Sequence, residues 1–395
     1  AEGKFKGLDI TRIREDVQRL SSHPTRVTGY PGCEAAFDFI LKELRAAGIS
    51  EIEIQEFKVP VPIVHEAYLT GQTPGGEVRI PLHPLWPNLA RTSMTPPDGI
   101  GGPLIDVGTA TEMNLSGKRL KDALVVVDWH SNIEWLSVPE FGGRAVIFRA
   151  NELGTGNLAR SKFLSVPADI PRYYVAEEDV AALNALLQHP QASGTVFCRM
   201  NWEQKKGRNI FAKITEGSAA TTARDQAERA PVILNAFYDS ISVVPTLSPG
   251  AEQAVSPAVL LELVRFFQER ETTRPLYVLF TSGHGQAMAG VTHFVSVLRE
   301  GLLHGWPGDK EDSLLAQMGR PGLFTSLALS SRSDQFSVFC QGQFRGYYEH
   351  LLRPKFSTLG LKLYEYAKAF RTETDPEKHR PAFVDCINLT LGRGW

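Results

Sequence analysis

Cysteine, net charge and long apolar runs are all scarce in this 395-residue sequence. The four cysteines (Cys33, Cys198, Cys340, Cys386) stand far apart, and none forms a Cys-x-x-Cys pair. A zinc ribbon, a thioredoxin-like motif and a disulfide mini-scaffold are therefore excluded. Such cysteines read as small buried apolar side chains, with one disulfide open to the chain in an oxidising compartment. The 42 basic and 44 acidic residues leave a formal charge of −2. Without a basic excess, neither nucleic acid nor an anionic membrane is a suitable partner. No apolar run approaches the roughly 18 residues that span a bilayer. Histidines are scattered without a His-x-x-x-His pair. Gly101-Gly102 and Gly142-Gly143 sit in turns, outside any strand–GxGxxG–helix setting, so nucleotide binding is not indicated.

What is present is the composition of a folded chain: 43% hydrophobic and 22% charged residues, at a length that suits two or three domains. The spacing predicts a helix over 10–20, a turn-rich loop over 23–32 and a second helix over 33–47, closed by Gly48. Residues 51–59 alternate with period two, as in a half-buried strand. From Pro60 to about Met200 prolines and short strands dominate, with apolar strands at 122–129, 144–149 and 170–175 and a short helix at 178–187. From about 205 an α/β rhythm returns. Strands are expected at 209–214, 231–238, 275–280 and 324–329, and helices at 254–268 and 286–299. A strand over 335–340 is expected to pair with 324–329, and a long helix to cover 347–370. Continuous apolar strands alternating with helices point to an α/β, doubly wound sheet covered on both faces.

In such a sheet, ligands gather beyond the carboxyl ends of the strands. Three ends stand out: Asn235-Ala-Phe-Tyr-Asp-Ser240, Phe280-Thr-Ser-Gly-His-Gly-Gln286 and Ser326-Leu-Ala-Leu-Ser-Ser331. A Ser-His-Asp arrangement from His284, Asp239 and Ser282 or Ser240 could be drawn from them. However, Thr281-Ser-Gly-His-Gly285 is not a Gly-x-Ser-x-Gly elbow. His293 beside Phe294 reads as a packed helix residue.

These segments resemble the co-catalytic zinc exopeptidases of the aminopeptidase and glutamate-carboxypeptidase type. The transferrin-receptor ectodomain, nicastrin and the attachment subunit of the GPI transamidase are relatives of that family. Arg26-Val-Thr-Gly-Tyr-Pro-Gly32 is similar to its opening segment. The pattern Gly250-Ala251 with Leu260-Leu261-Glu262-Leu263 is the most specific part. The resemblance implies a zinc-exopeptidase-like core over 1–58 and 205–395, with an inserted β-rich protease-associated domain over 59–204.

The family's two zinc ions need imidazole and carboxylate ligands, and the resemblance places other residues there. Phe237 stands for the first His, two before Asp239, which in the family orients that His. Gln253 stands for the bridging Asp, followed by Ala254. His284 and Gly285 stand for a Glu-Glu pair of general base and ligand, and Ser330 for a further Asp. Four ligand positions and the base position are thus substituted, so neither zinc nor another cofactor is expected.

The expected function is that of a catalytically silent zinc-peptidase-like protein. Its role would be protein binding, scaffolding or membership of an extracytoplasmic complex, with a protein partner or a second copy. The alternative is an active metallo-exopeptidase with a rearranged site. A periplasmic, secreted or membrane-tethered location follows from the resemblance and from a start at Ala1 instead of Met. The family's last strands and a last His ligand follow its long helix, whereas this chain reaches Asn388–Trp395 there. The core is therefore expected to be short of its final strands, with an edge prone to association.

Overall fold

The computed structural model describes residues 7–88, 91–150, 159, 161–163, 169–218 and 229–329, together with backbone strands at 337–340 and 386–390. The elements run in chain order as follows. Helices α1 (Ile10–Leu20) and α2 (Pro31–Ala46) come first. Strands β1 (Ile52–Thr73), β2 (Gly76–Pro81), β3 (His83–Pro84) and β4 (Ile100–Asp106) follow. Next are β5 (Leu124–Asp128), β6 (Ala145–Arg149), β7 (Arg172–Val175) and α3 (Val180–Leu187). Then come β8 (Ser193–Thr215), β9 (Val232–Phe237) and α4 (Ala251–Gln268). Strand β10 (Leu276–Thr281) precedes α5 (Ala289–His304) and α6 (Leu314–Met318). The last strands are β11 (Leu323–Leu327), β12 (Ser337–Cys340) and β13 (Cys386–Thr390).

Two compact units result, one of residues 1–59, 206–240 and 249–395, the other of 60–205 and 241–248. The first unit holds a mixed sheet in the order β12-β13-β11-β9-β10-β8, with β1 beyond β8. β10 and β11 run parallel to β9, and β8 runs antiparallel to β10. Side chains alternate across each strand. Val278 and Phe280 of β10 pack with Phe37 and Ile40 of α2 and Leu260 and Leu261 of α4. Tyr277 and Leu279 point the other way, to Phe294 and Leu298 of α5 and Leu315 of α6. Helices thus cover both faces, which is why β10 is buried along its whole length. In the second unit β4, β5, β6 and β7 are parallel. β3 closes that sheet antiparallel to β7.

Two expectations need correction. The first strand does not stop at Val59 but runs on to Thr73. Pro60 and Pro62 do not end it: among the described residues β8 alone pairs with this part of β1, and a strand paired on one side tolerates missing N–H groups on the other. Residues 337–340 do not pair with the 323–327 strand. β13 lies between them, antiparallel to β11 and parallel to β12. Its five residues take up the ladder positions that β12 was expected to fill. The helix expected over 347–370 lies outside the described residues. Cys33 and Cys198 are buried and free; the side chains of Cys340 and Cys386 lie outside the described residues. No helix among the described residues is long and apolar enough to cross a membrane.

One ionic cluster fixes the three helices on one face. Arg265 of α4 meets Asp16 of α1 at 2.9 Å, Glu43 of α2 at 2.7 Å and Glu262 at 3.3 Å. Glu262 is buried and also accepts from Asp9 N at 2.9 Å. Burial raises the Asp16 carboxyl above its ordinary range despite the arginine. Removing the guanidinium would leave buried carboxylates facing one another, which typically costs about 3–5 kcal/mol. Arg265→Ala is accordingly expected to lose roughly that much in urea unfolding at neutral pH, and less in acid, where the carboxylates protonate. A loss below about 1 kcal/mol, the scale of a surface pair, would refute this role.

Candidate functional site

The strand ends singled out in the sequence converge in the first unit. In the parallel ladder Phe237 lies opposite Thr281, so the segments leaving β9 and β10 start side by side. The Asp239 carboxylate joins them. Its Oδ2 accepts from Thr28 Oγ1 at 2.8 Å and from the backbone N of His284 at 3.0 Å. Thr28 Oγ1 in turn accepts from Gly283 N at 2.8 Å. Asp239 is fully buried, and its Oδ1 has no hydrogen-bond partner among the described residues.

The loop carrying Thr28 is held by Arg26, also fully buried. Its Nε donates to Tyr238 O at 2.7 Å. The Nη groups donate to Leu20 O at 2.8 Å, Pro249 O at 2.5 Å and Gly250 O at 2.8 Å. Gly250 starts α4 with φ of 64°. A Cβ there would lie 2.6 Å from Ser240 Cβ and 2.9 Å from Gln253 Oε1. Only glycine meets both demands, a left-handed backbone and no side chain.

The structure brings Phe237, Asp239 and His284 into contact. The Phe237 ring lies flat on the His284 imidazole, with centroids 3.9 Å apart and planes 9° apart. Burial lowers the His284 pKa, so the imidazole is neutral at pH 7. Gln253 turns its amide back toward Gly250. Gly285 lies in the turn after His284 and offers no side chain. Ser330 lies outside the described residues.

The serine-based alternative is not assembled at Ser282. Ser282 Oγ donates to Arg208 O at 3.0 Å and accepts from Arg208 N at 3.1 Å. Asp239 meets the backbone of His284, not its ring. Nor do the residues present fit a pair of zinc ions. A phenyl ring has no lone pair to donate, an amide is a weak neutral ligand, and glycine has no donor. The Asp239 carboxylate is engaged in fixing a loop. Among the described residues no three His, Cys, Asp or Glu side chains converge as metal donors.

Arg26 and Thr28 lie in the segment similar to the family's opening, but nothing in the sequence showed what they hold. Tyr238, Asp239, Pro249, Gly250 and Gly283, which they hold, lie more than 200 residues away in the chain. The only local signal is an arginine inside a turn-rich loop that becomes buried.

Burial dominates the Asp239 carboxyl and raises its pKa from 3.8 to about 6, although Thr28, the His284 N–H and the Arg26 charge all pull it down. The folded protein therefore binds this proton more tightly than the unfolded chain. The stability it contributes is full below pH 3.8 and is lost as pH rises through about 6. The full difference amounts to about 3 kcal/mol. Asp239→Asn is expected to remove this slope, so that urea midpoints of wild type and variant diverge between acid and neutral pH. Parallel pH profiles for the two proteins would show that Asp239 is not the titrating group.

No protein-family model matches the chain. No curated protein sequence matches it either. Solved structures do. The zinc aminopeptidase BSAP from Bacillus subtilis superposes with a TM-score of 0.52 at 19% identity, covering 73% of this chain and 65% of that one. This chain therefore spans about two thirds of that enzyme's length. A peptidase M28 precursor from Shewanella amazonensis gives a TM-score of 0.50 at 15% identity, covering 75% of this chain and 69% of that one. Nicastrin, a gamma-secretase component, gives 0.39 at 12% identity over 64% and 50%, which is too low to show a shared fold by itself. The chain has the mixed α/β, zinc-exopeptidase-like fold.

Proposed function

We propose that this protein is a catalytically silent relative of the zinc exopeptidases that works by binding protein, as a scaffold or as a subunit of an extracytoplasmic complex. The observation that carries the reading is the ring stack of Phe237 on His284 at 3.9 Å. Two positions that the resemblance assigns to a ligand and to a general base are packed against each other. Further support comes from the neutral, inward-turned Gln253 and the side-chain-free Gly285. Asp239 supports it as well, because it pins a loop through Thr28 and the His284 N–H. On this reading the second unit, residues 60–205 with 241–248, is a protease-associated-type insertion and one of the binding surfaces.

An active metallo-exopeptidase would need donors from elsewhere in the chain, and the described residues supply no converging set. The two readings separate on metal content. Purified protein incubated with zinc and dialysed is expected to retain none at stoichiometric level by elemental analysis. Aminoacyl and peptidyl amides are expected to stay intact, and chelator to leave the Tm unchanged. Phe237→His alone is expected to change none of these, because the other substituted positions remain. Retained zinc together with chelator-sensitive hydrolysis would overturn the proposal.

A further inference from the structure

Along the outer edge of the first unit's sheet runs a groove of about 550 Å³. Its floor is the consecutive stretch 50–56, and its walls include His293, Trp306, Lys310 and Asp312. Consecutive residues line one groove only where the backbone itself is accessible, because side chains alternate between faces. β1 pairs with β8. Lys213 N donates to Glu51 O at 3.1 Å and Lys206 reaches Glu56 at 2.8 Å, so the two strands run antiparallel. In an antiparallel ladder each residue turns both backbone groups to one side, and the side alternates. Glu51 faces β8. The N–H and C=O groups of Ile52, Ile54 and Glu56 therefore face the groove. Among the described residues no strand takes them up.

Charge selects the occupant. Glu51, Glu53, Glu56 and Asp312 line the groove against a single lysine, Lys310. Lys213 and Lys206 answer Glu51 and Glu56 from the β8 side. His293 adds no positive charge at neutral pH, since burial and Lys310 both lower its pKa. Four carboxylates against three lysines leave the groove acidic by one formal charge, and Glu53 also accepts from Leu315 N at 3.1 Å. A second copy of this strand is a poor occupant, because it would set these glutamates against themselves. We propose that this edge binds an extended, lysine- or arginine-rich segment of a partner protein as an added strand. This gives the protein-binding reading a place and a ligand chemistry. The test below uses neither metal nor hydrolysis, so its failure leaves the silent-site reading standing.

The probe is a short capped peptide of alternating Lys and Thr, titrated against the intrinsic tryptophan fluorescence and followed by amide hydrogen exchange. Saturable binding is expected, with slowed exchange at Ile52, Ile54 and Glu56. The same peptide N-methylated at alternate amides is expected to bind about tenfold more weakly or not at all, since it cannot complete the ladder. A Glu/Thr counterpart is expected to lose at least as much. The protein is unaltered throughout, so no misfolded variant can confuse the result. Absence of saturable binding, equal binding of the methylated peptide, or protection elsewhere would each overturn the proposal. So would a homodimer that protects 52–56 without peptide, because the occupant would then be a second copy.

Discussion

The Arg26 guanidinium is the contact on which the geometry of the first unit's strand ends depends. It is fully buried, and burial lowers its pKa to about 10, which still leaves it charged at neutral pH. Burying a charge is costly unless its donors are taken up. Four carbonyl oxygens, of Leu20, Tyr238, Pro249 and Gly250, do this. They belong to the end of α1, the exit of β9 and the approach to α4. Three elements distant in sequence are thereby fixed around one planar group. Arg26 O accepts from Ser240 N at 3.0 Å, so the same residue holds the backbone on either side of Asp239.

With that frame in place, small changes decide what the site can do. A histidine at 237 would present a donor nitrogen; phenylalanine presents a π-face and stacks on His284. Asp239 is then left with an accepting role toward Thr28 and the His284 backbone, and one of its oxygens has no partner. Such an oxygen in a buried setting favours the protonated acid, in agreement with a pKa near 6. The frame of the strand ends and the side chains they present are thus separable. Backbone carbonyls, a glycine with positive φ and one arginine build the first. Side chains at a few strand ends determine the second.

Much of this was legible in the sequence because it rests on local periodicity. α1 spans the residues its apolar spacing predicts, and β10 follows from an apolar run buried on both faces. The strand ends at 237 and 284 were legible too, because they close apolar runs that lie side by side in the sheet. Other features depend on partners far along the chain. Pro60 and Pro62 signal an interruption, yet β1, paired there with β8 alone among the described residues, continues to Thr73. Sequence proximity pairs the 337–340 strand with β11, whereas in the sheet 386–390 lies between them. The contacts of Arg26 and Thr28, and the groove along 50–56, were not legible, since tertiary packing alone defines them.

Zinc-edge anomalous diffraction from crystals grown with zinc at neutral pH tests the proposed silent site most directly. A map without an anomalous peak among Phe237, Asp239, Gln253 and His284, with the two rings still stacked, is the predicted result. A strong peak there, with the Phe237 ring swung away and Asp239 turned from Thr28 to the metal, would contradict it.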